Sequence, residues 1–119
     1  MKITASESQV MEILWRESPL ESGDIAQRLA PETQWSPKTV RTLLDRLVAK
    51  RAIERCKRGR HYSYQPLLSR EQWLHDQTES LVRTHCDGRL APLVAAFAQA
   101  EQLSETDREE IRALLEKLS

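Results

Sequence analysis

Glycine is scarce, at three residues in 119, and none belongs to a Gly-rich loop whose backbone would cradle a phosphate. A His-Glu-x-x-His pattern, a nucleophile set beside a base and a paired-carboxylate motif are all missing, which removes the usual signs of a hydrolase or metalloenzyme. Cysteine is limited to Cys56 and Cys86, which form no Cys-x-x-Cys pair, so two free thiols are expected rather than a disulfide framework. His61, His75 and His85 make no ligand set; His75 and His85, ten residues apart, would point in different directions on one helix. No metal and no cofactor is therefore expected. Long apolar runs are also lacking, and the opening Met-Lys-Ile-Thr-Ala-Ser-Glu has no apolar signal core. These features predict a cytoplasmic protein without membrane insertion.

Net charge is the next absence, with 18 basic residues against 18 acidic. Taken whole, that argues against a partner such as nucleic acid. The balance is uneven along the chain, however. Residues 1–66 carry 12 Lys/Arg and 8 Asp/Glu, while residues 67–119 carry 6 and 10. Within 36–66 the count is 9 basic to 2 acidic. A polyanion-binding module joined to an acidic partner module has this asymmetry, and the acidic half limits non-specific sticking to DNA. Apolar residues make up only 39 % of the chain, enough for one modest core, and dimerisation would supply the missing burial.

The basic segment has an internal order. From Trp35, the run Ser-Pro-Lys-Thr-Val-Arg-Thr-Leu-Leu-Asp-Arg-Leu-Val-Ala-Lys50 reads as an amphipathic helix. Ser36 can cap its first amides and Pro37 suits the first helical position. Val40, Leu43, Leu44, Leu47 and Val48 recur at helical spacing, leaving Lys38, Arg41, Thr42, Asp45 and Arg46 outside and Thr39 near the boundary. A helix with hydroxyls and arginines in its first turns can enter a DNA major groove. Then come two extended stretches, Ile53 to Lys57 and His61 to Gln65, about a tip of Arg58, Gly59 and Arg60. Helix, hairpin and cationic tip in that order form a winged helix-turn-helix. His61 would be DNA-facing or solvated, and Trp35 would have a mixed role, stapling the preceding turn to the core and lying against the DNA backbone.

Upstream, Ser6 with Gln9 resembles a capping box opening a helix to about Arg16, with Val10, Met11, Ile13, Leu14 and Trp15 apolar. Ser22 is expected to cap a short second helix bearing Ile25, Ala26 and Leu29, ended by Pro31. Downstream, Ser69 with Gln72 opens a helix to about Cys86, Gly88 breaks it, and Leu90, Leu93, Val94 and Phe97 form a stripe. A last helix begins at Ser104 with Asp107 and presents Ile111, Leu114, Leu115 and Leu118. Three amphipathic helices without catalytic motifs are most simply a dimerisation unit.

The residues Glu7-Ser-Gln-Val-Met-Glu-Ile-Leu-Trp15, Trp35-Ser-Pro-Lys-Thr-Val40, Gly59-Arg60, Tyr62-Ser-Tyr64, Leu90-Ala-Pro-Leu-Val94, Phe97 and Leu103-Ser104 resemble the penicillinase-repressor and methicillin-resistance-repressor (BlaI/MecI) family of winged-helix regulators. The resemblance covers nearly the whole chain and is most specific at Trp-Ser-Pro-Lys-Thr. It implies a homodimeric repressor of a palindromic operator, often with a TACA/TGTA core, dimerised by its C-terminal helices. It also implies release of the operator when a membrane sensor protease, activated by a β-lactam, cuts the repressor. A copper-responsive branch carries a C-terminal cysteine cluster, which this chain lacks. Where repressors cut by the β-lactam sensor typically have Asn-Phe, this chain has Ala96-Phe97, so the candidate cleavage pair is half kept.

The expected architecture is mainly α with a small β-hairpin wing: a winged-helix DNA-binding domain over residues 1–68 and helical dimerisation over residues 69–119. The expected DNA-binding residues are Lys38, Thr39, Arg41, Thr42, Arg46, Arg58, Arg60 and His61. The expected dimer contacts are Trp73, Leu74, Leu81, Leu90, Leu93, Val94, Phe97, Ile111, Leu114 and Leu115. The expected partners are an operator duplex, a second copy of the chain and a membrane sensor protease. Two alternatives stay open: a winged-helix module that binds an acidic protein, and a regulator with a redox or small-molecule inducer.

Overall fold

The computed structural model describes residues 2–99 and 103–118. Helix α1 (Ala5–Arg16) is opened by Thr4, whose hydroxyl accepts the Glu7 N–H at 3.1 Å while the Glu7 carboxylate accepts the Thr4 N–H at 2.8 Å. The reciprocal cap expected at Ser6 and Gln9 therefore lies two residues upstream. Both pairs have the right spacing; Ile3, buried in the core, anchors the entering chain at the earlier one.

Strand β1 (Leu20–Glu21) follows, then α2 (Ser22–Thr33) and α3 (Pro37–Ala49). Ser22 is the first helical residue of α2 and not its cap; Glu21 takes that position with no side-chain cap bond. Pro31 lies inside α2, which continues to Thr33. Lacking an N–H, Pro31 costs the Gln27 carbonyl its helical partner, and Gln27 is exposed, so that carbonyl is left where water can reach it. Gln34, left-handed at φ 56°, ends the helix, and its N–H reaches the Ala30 carbonyl at 3.1 Å.

Strands β2 (Ile53–Arg58) and β3 (His61–Pro66) make the hairpin, and β1 adds to β3, giving an antiparallel sheet in the order β1-β3-β2. Leu20 pairs with Tyr64, and Arg58 with His61 at the tip. The third strand is not foreseeable from periodicity, because two residues cannot display one.

Met11, Leu14, Ile25, Leu44, Leu47, Ile53, Val10 and Val40 are fully buried, so α1, α2, α3 and the sheet share one core. Each such side chain contributes about 1.5–3 kcal/mol by leaving water. Glu7 is buried among them. Its carboxylate accepts from Lys50 Nζ at 2.5 Å, and Lys50 also donates to the Lys2 carbonyl at 2.8 Å. Burial pushes the Glu7 carboxyl up, but the Lys50 ammonium and the Thr4 N–H and hydroxyl outweigh it and hold the group below its ordinary value.

Two compact units divide the chain, the first ending at Trp73 and the second beginning at Leu74. Helix α4 (Arg70–His85) supplies residues to both. Its start is capped by Ser69, which accepts the Gln72 N–H at 3.0 Å. In the first unit Trp15 donates its indole N–H to the Leu68 carbonyl at 2.8 Å, and its ring lies 5.5 Å from that of Trp73.

The second unit continues with α5 (Ala91–Gln99) and α6 (Glu105–Leu118). Asp87 and Gly88, both at positive φ, separate α4 from α5. Ser104 and Asp107 cap α6 reciprocally. No described residue of α4, α5 or α6 is buried, and Leu74, Leu81, Leu90, Phe97, Leu114, Leu115 and Leu118 are exposed. Cys56 and Cys86 are free thiols. Among the described residues no helix is long and apolar enough to cross a membrane.

Candidate nucleic-acid interface

The geometry of α3 follows from its cap. Ser36 accepts the Thr39 N–H at 3.2 Å and Pro37 occupies the first turn, which fixes where the helix starts and hence which residues face outward. Val40, Leu43, Leu44 and Leu47 turn into the core. Lys38, Thr39, Arg41, Thr42, Asp45 and Arg46 are consequently exposed. The Thr42 hydroxyl donates to the Lys38 carbonyl at 3.0 Å, and the Thr39 hydroxyl lies 3.1 Å from that of Ser36. Trp35 packs partly buried against the core, as the stapling part of its expected mixed role requires.

The wing brings a second set of cations to the same side. Gly59 at φ 63° makes the tip, a conformation strained for any side chain with a Cβ. Arg58, Arg60 and His61 are exposed around it. A cleft of about 270 Å³ lies where α3, the wing and the start of α2 converge; Arg41, Arg60, His61, Tyr62 and Tyr64 line it together with Glu21, Ser22 and Gly23. His61 Nδ1 is 3.4 Å from Glu21 Oε1, which ties the wing strand to β1. Two guanidinium groups from separate elements thus open onto one concave surface, suited to a phosphate backbone. Arg41, Arg60 and His61 are the expected residues it unites; Lys38, Thr39, Thr42, Arg46 and Arg58 are exposed outside it.

Glu21, Arg55 and Tyr62 are not among the expected residues. Arg55 shares a sheet face with Tyr62, its guanidinium 4.8 Å from the ring centroid. The two-residue alternation along β2 and the pairing of Arg55 with Tyr64 place Arg55, Tyr62 and Tyr64 on one face, buried at Ile53 and open to solvent at Arg55.

Of the expected dimer residues, Trp73 packs against Trp15 within the first unit. Leu74, Leu81, Leu90, Phe97, Leu114 and Leu115 are exposed, and Leu93, Val94 and Ile111 half-buried. Ala96 and Phe97 are exposed on α5. His75, Asp76 and Glu79 bring ligand-type atoms within 4.8 Å on α4, all of them exposed, with Glu79 already engaged by His75 at 3.5 Å and Arg83 at 3.4 Å.

Three helices, the third cationic on its outer face, and a strand-paired wing define a winged helix-turn-helix, an architecture used by many DNA readers. Residues 3–117 match the family described as penicillinase repressor. The penicillinase repressor of Bacillus licheniformis is 29 % identical over 116 residues, covering 98 % of this chain and 91 % of that protein. The methicillin resistance regulatory protein MecI of Staphylococcus aureus is 30 % identical, covering 98 % and 94 %. The solution structure of monomeric BlaI of Bacillus licheniformis in complex with the blaP half-operator superposes with a TM-score of 0.54 at 32 % identity, covering 60 % of this chain and 88 % of that one. The chain belongs to the penicillinase repressor family, which makes it a regulator and not an enzyme.

Proposed function

We propose that this protein is a sequence-specific transcriptional repressor that binds a palindromic operator as a homodimer. The observation that carries the reading is the convergence of Arg41 on α3 and Arg60 and His61 on the wing around one cleft. The half-operator complex of the Bacillus licheniformis BlaI relative supports it. Lys38, Thr39, Arg41, Thr42 and Arg46 read base edges or the adjoining backbone, and Arg58 and Arg60 grip backbone phosphate or the minor groove, with His61 facing the DNA beside them.

Residues 1–68 serve as the DNA-binding domain and residues 69–119 as the dimerisation domain, working in the cytoplasm. The exposed leucines of α4 to α6 support dimerisation, since apolar faces left open in one chain are covered in two. A duplex with an inverted repeat should bind far more tightly than one with a single half-site, and sedimentation should give a dimer. Equal affinity for both duplexes, or a monomer at micromolar concentration, would refute the homodimer.

Cleavage by a membrane sensor protease at Ala96-Phe97 would remove Phe97 and α6 from the chain that keeps Leu90, Leu93 and Val94. Alanine lacks the amide of the family's asparagine, so a subsite built to hydrogen-bond that amide discriminates against this chain. That difference favours a second reading, in which another signal releases the operator. The size of the protein in its host before and after β-lactam exposure separates the two: a shortened chain supports proteolysis, and an intact chain with derepressed genes excludes it.

A further inference from the structure

The outer face of α3 has one acidic residue among its cations, Asp45, one turn beyond Arg41. Its side chain is more than half exposed. Brought against a phosphate backbone, a bare carboxylate at this point opposes binding. Arg55 on β2 answers it. The guanidinium lies 3.9 Å from Asp45 Oδ1 and 4.8 Å from the Tyr62 ring centroid, so one side chain touches the recognition helix, β2 and β3.

We propose that Arg55 is a positioning residue for operator reading: it neutralises Asp45 and, stacked on Tyr62, holds the wing in register with α3. The proposal rests on the DNA-binding reading above. Both partners are exposed and the pair is long, so it adds little to the stability of the free protein. A duplex lying over α3 and the wing displaces solvent from the pair, and the attraction then grows. The consequence belongs to binding, not to folding. A planar guanidinium can meet a carboxylate with its edge and a phenol with its face at once, whereas a lysine ammonium cannot. Arg55 also points to the α3 side of the sheet, away from the tip where Arg58 and Arg60 are free to grip phosphate.

The test is a double-mutant cycle on the full chain, with Asp45→Asn, Arg55→Met and the double variant, plus Arg55→Lys. The probe is the duplex that the wild-type chain enriches from a random-sequence pool. Arg55→Met should lower affinity about tenfold when Asp45 is present and no more than about twofold in the Asp45→Asn background, the non-additivity expected of contacting residues. Arg55→Lys should recover part of the loss. Denaturant midpoints of all four variants should stay close to that of the parent.

An equal loss in both backgrounds, with the salt slope lower by about one, would make Arg55 a plain phosphate contact and overturn the proposal. No loss in either background, or a collapsed denaturant midpoint that accounts for the weaker binding, would overturn it as well. Failure of the wild-type chain to enrich any duplex would instead refute the DNA-binding reading itself.

Discussion

Glu7 and Lys50, 43 residues apart in sequence, form an ion pair that fastens the start of α1 to the end of α3. Glu7 is fully buried and Lys50 about one-third exposed, so the carboxylate depends on its partner more than the reverse. Among the described residues Glu7 Oε2 has no hydrogen-bond partner, which leaves Oε1 carrying the contacts. Lys50→Met should therefore strand a buried carboxylate. The expected loss is about 2–4 kcal/mol in urea unfolding, at or below the usual figure for breaking a buried pair because Lys50 is partly open to water.

The same pair sets an acid limit on stability. Folding lowers the Glu7 pKa from its ordinary 4.5, so the native state binds this proton less tightly than the unfolded chain. The stabilisation is complete above the ordinary value and is lost as pH falls through the lowered one. Unfolding free energy measured from neutral pH downward should decline below about pH 4.5. Glu7→Gln should flatten that decline; an unchanged acid slope would assign it to other carboxylates.

Base reading should reside in α3. Replacing Arg41 or Arg46 by alanine should cost about 1–3 kcal/mol of discrimination at one operator position. Selection from a random duplex pool would reveal relaxed preference there. Uniform weakening across all sequences would mark the residue as a phosphate contact instead.

The wing should behave otherwise. Arg60→Ala and Arg58→Ala are each expected to weaken binding to every duplex alike. Each should also reduce the slope of log affinity against log salt by about one. Titrations across a range of salt concentrations suffice, and a slope equal to the parent's would exclude a phosphate contact.

Where the first compact unit can be cut is also decided by packing. A chain ending at Trp73 keeps the Trp15 contact and the Arg70–Glu12 ion pair, while one ending at residue 68 loses both. Residues 1–73 should be more stable than residues 1–68 by about 1–3 kcal/mol, the cost of removing a half-buried aromatic. Thermal unfolding of the two fragments provides the comparison.

Local signals are the legible ones. Ser36 and Pro37 locate α3 to the residue, and the spacing of Val40, Leu43, Leu44 and Leu47 then determines which side chains face outward. Ser69 and Ser104 work similarly for α4 and α6. Competing local signals are harder: Thr4 with Glu7 and Ser6 with Gln9 have the same spacing, and only the burial of Ile3 and Glu7 distinguishes them. Contacts between distant residues are invisible to periodicity. In the sequence Lys50 is one more surface cation and Arg55 one more charge in a hairpin, because Glu7 and Asp45 meet them only after α3 and the sheet have packed. Trp73 fits an apolar helix stripe as well as it fits the first core, since a stripe does not name what covers it.

Two of the three tryptophans stand ring to ring where α4 begins, and they are electronically unlike. The Trp15 N–H is bonded to the Leu68 carbonyl, whereas the Trp73 N–H is buried with no partner among the described residues. Indole emission depends on polarity and on neighbouring rings, so the first turn of α4 carries its own optical gauge. Loosening that turn would expose Trp73 to water and shift its fluorescence to the red, with no dye attached.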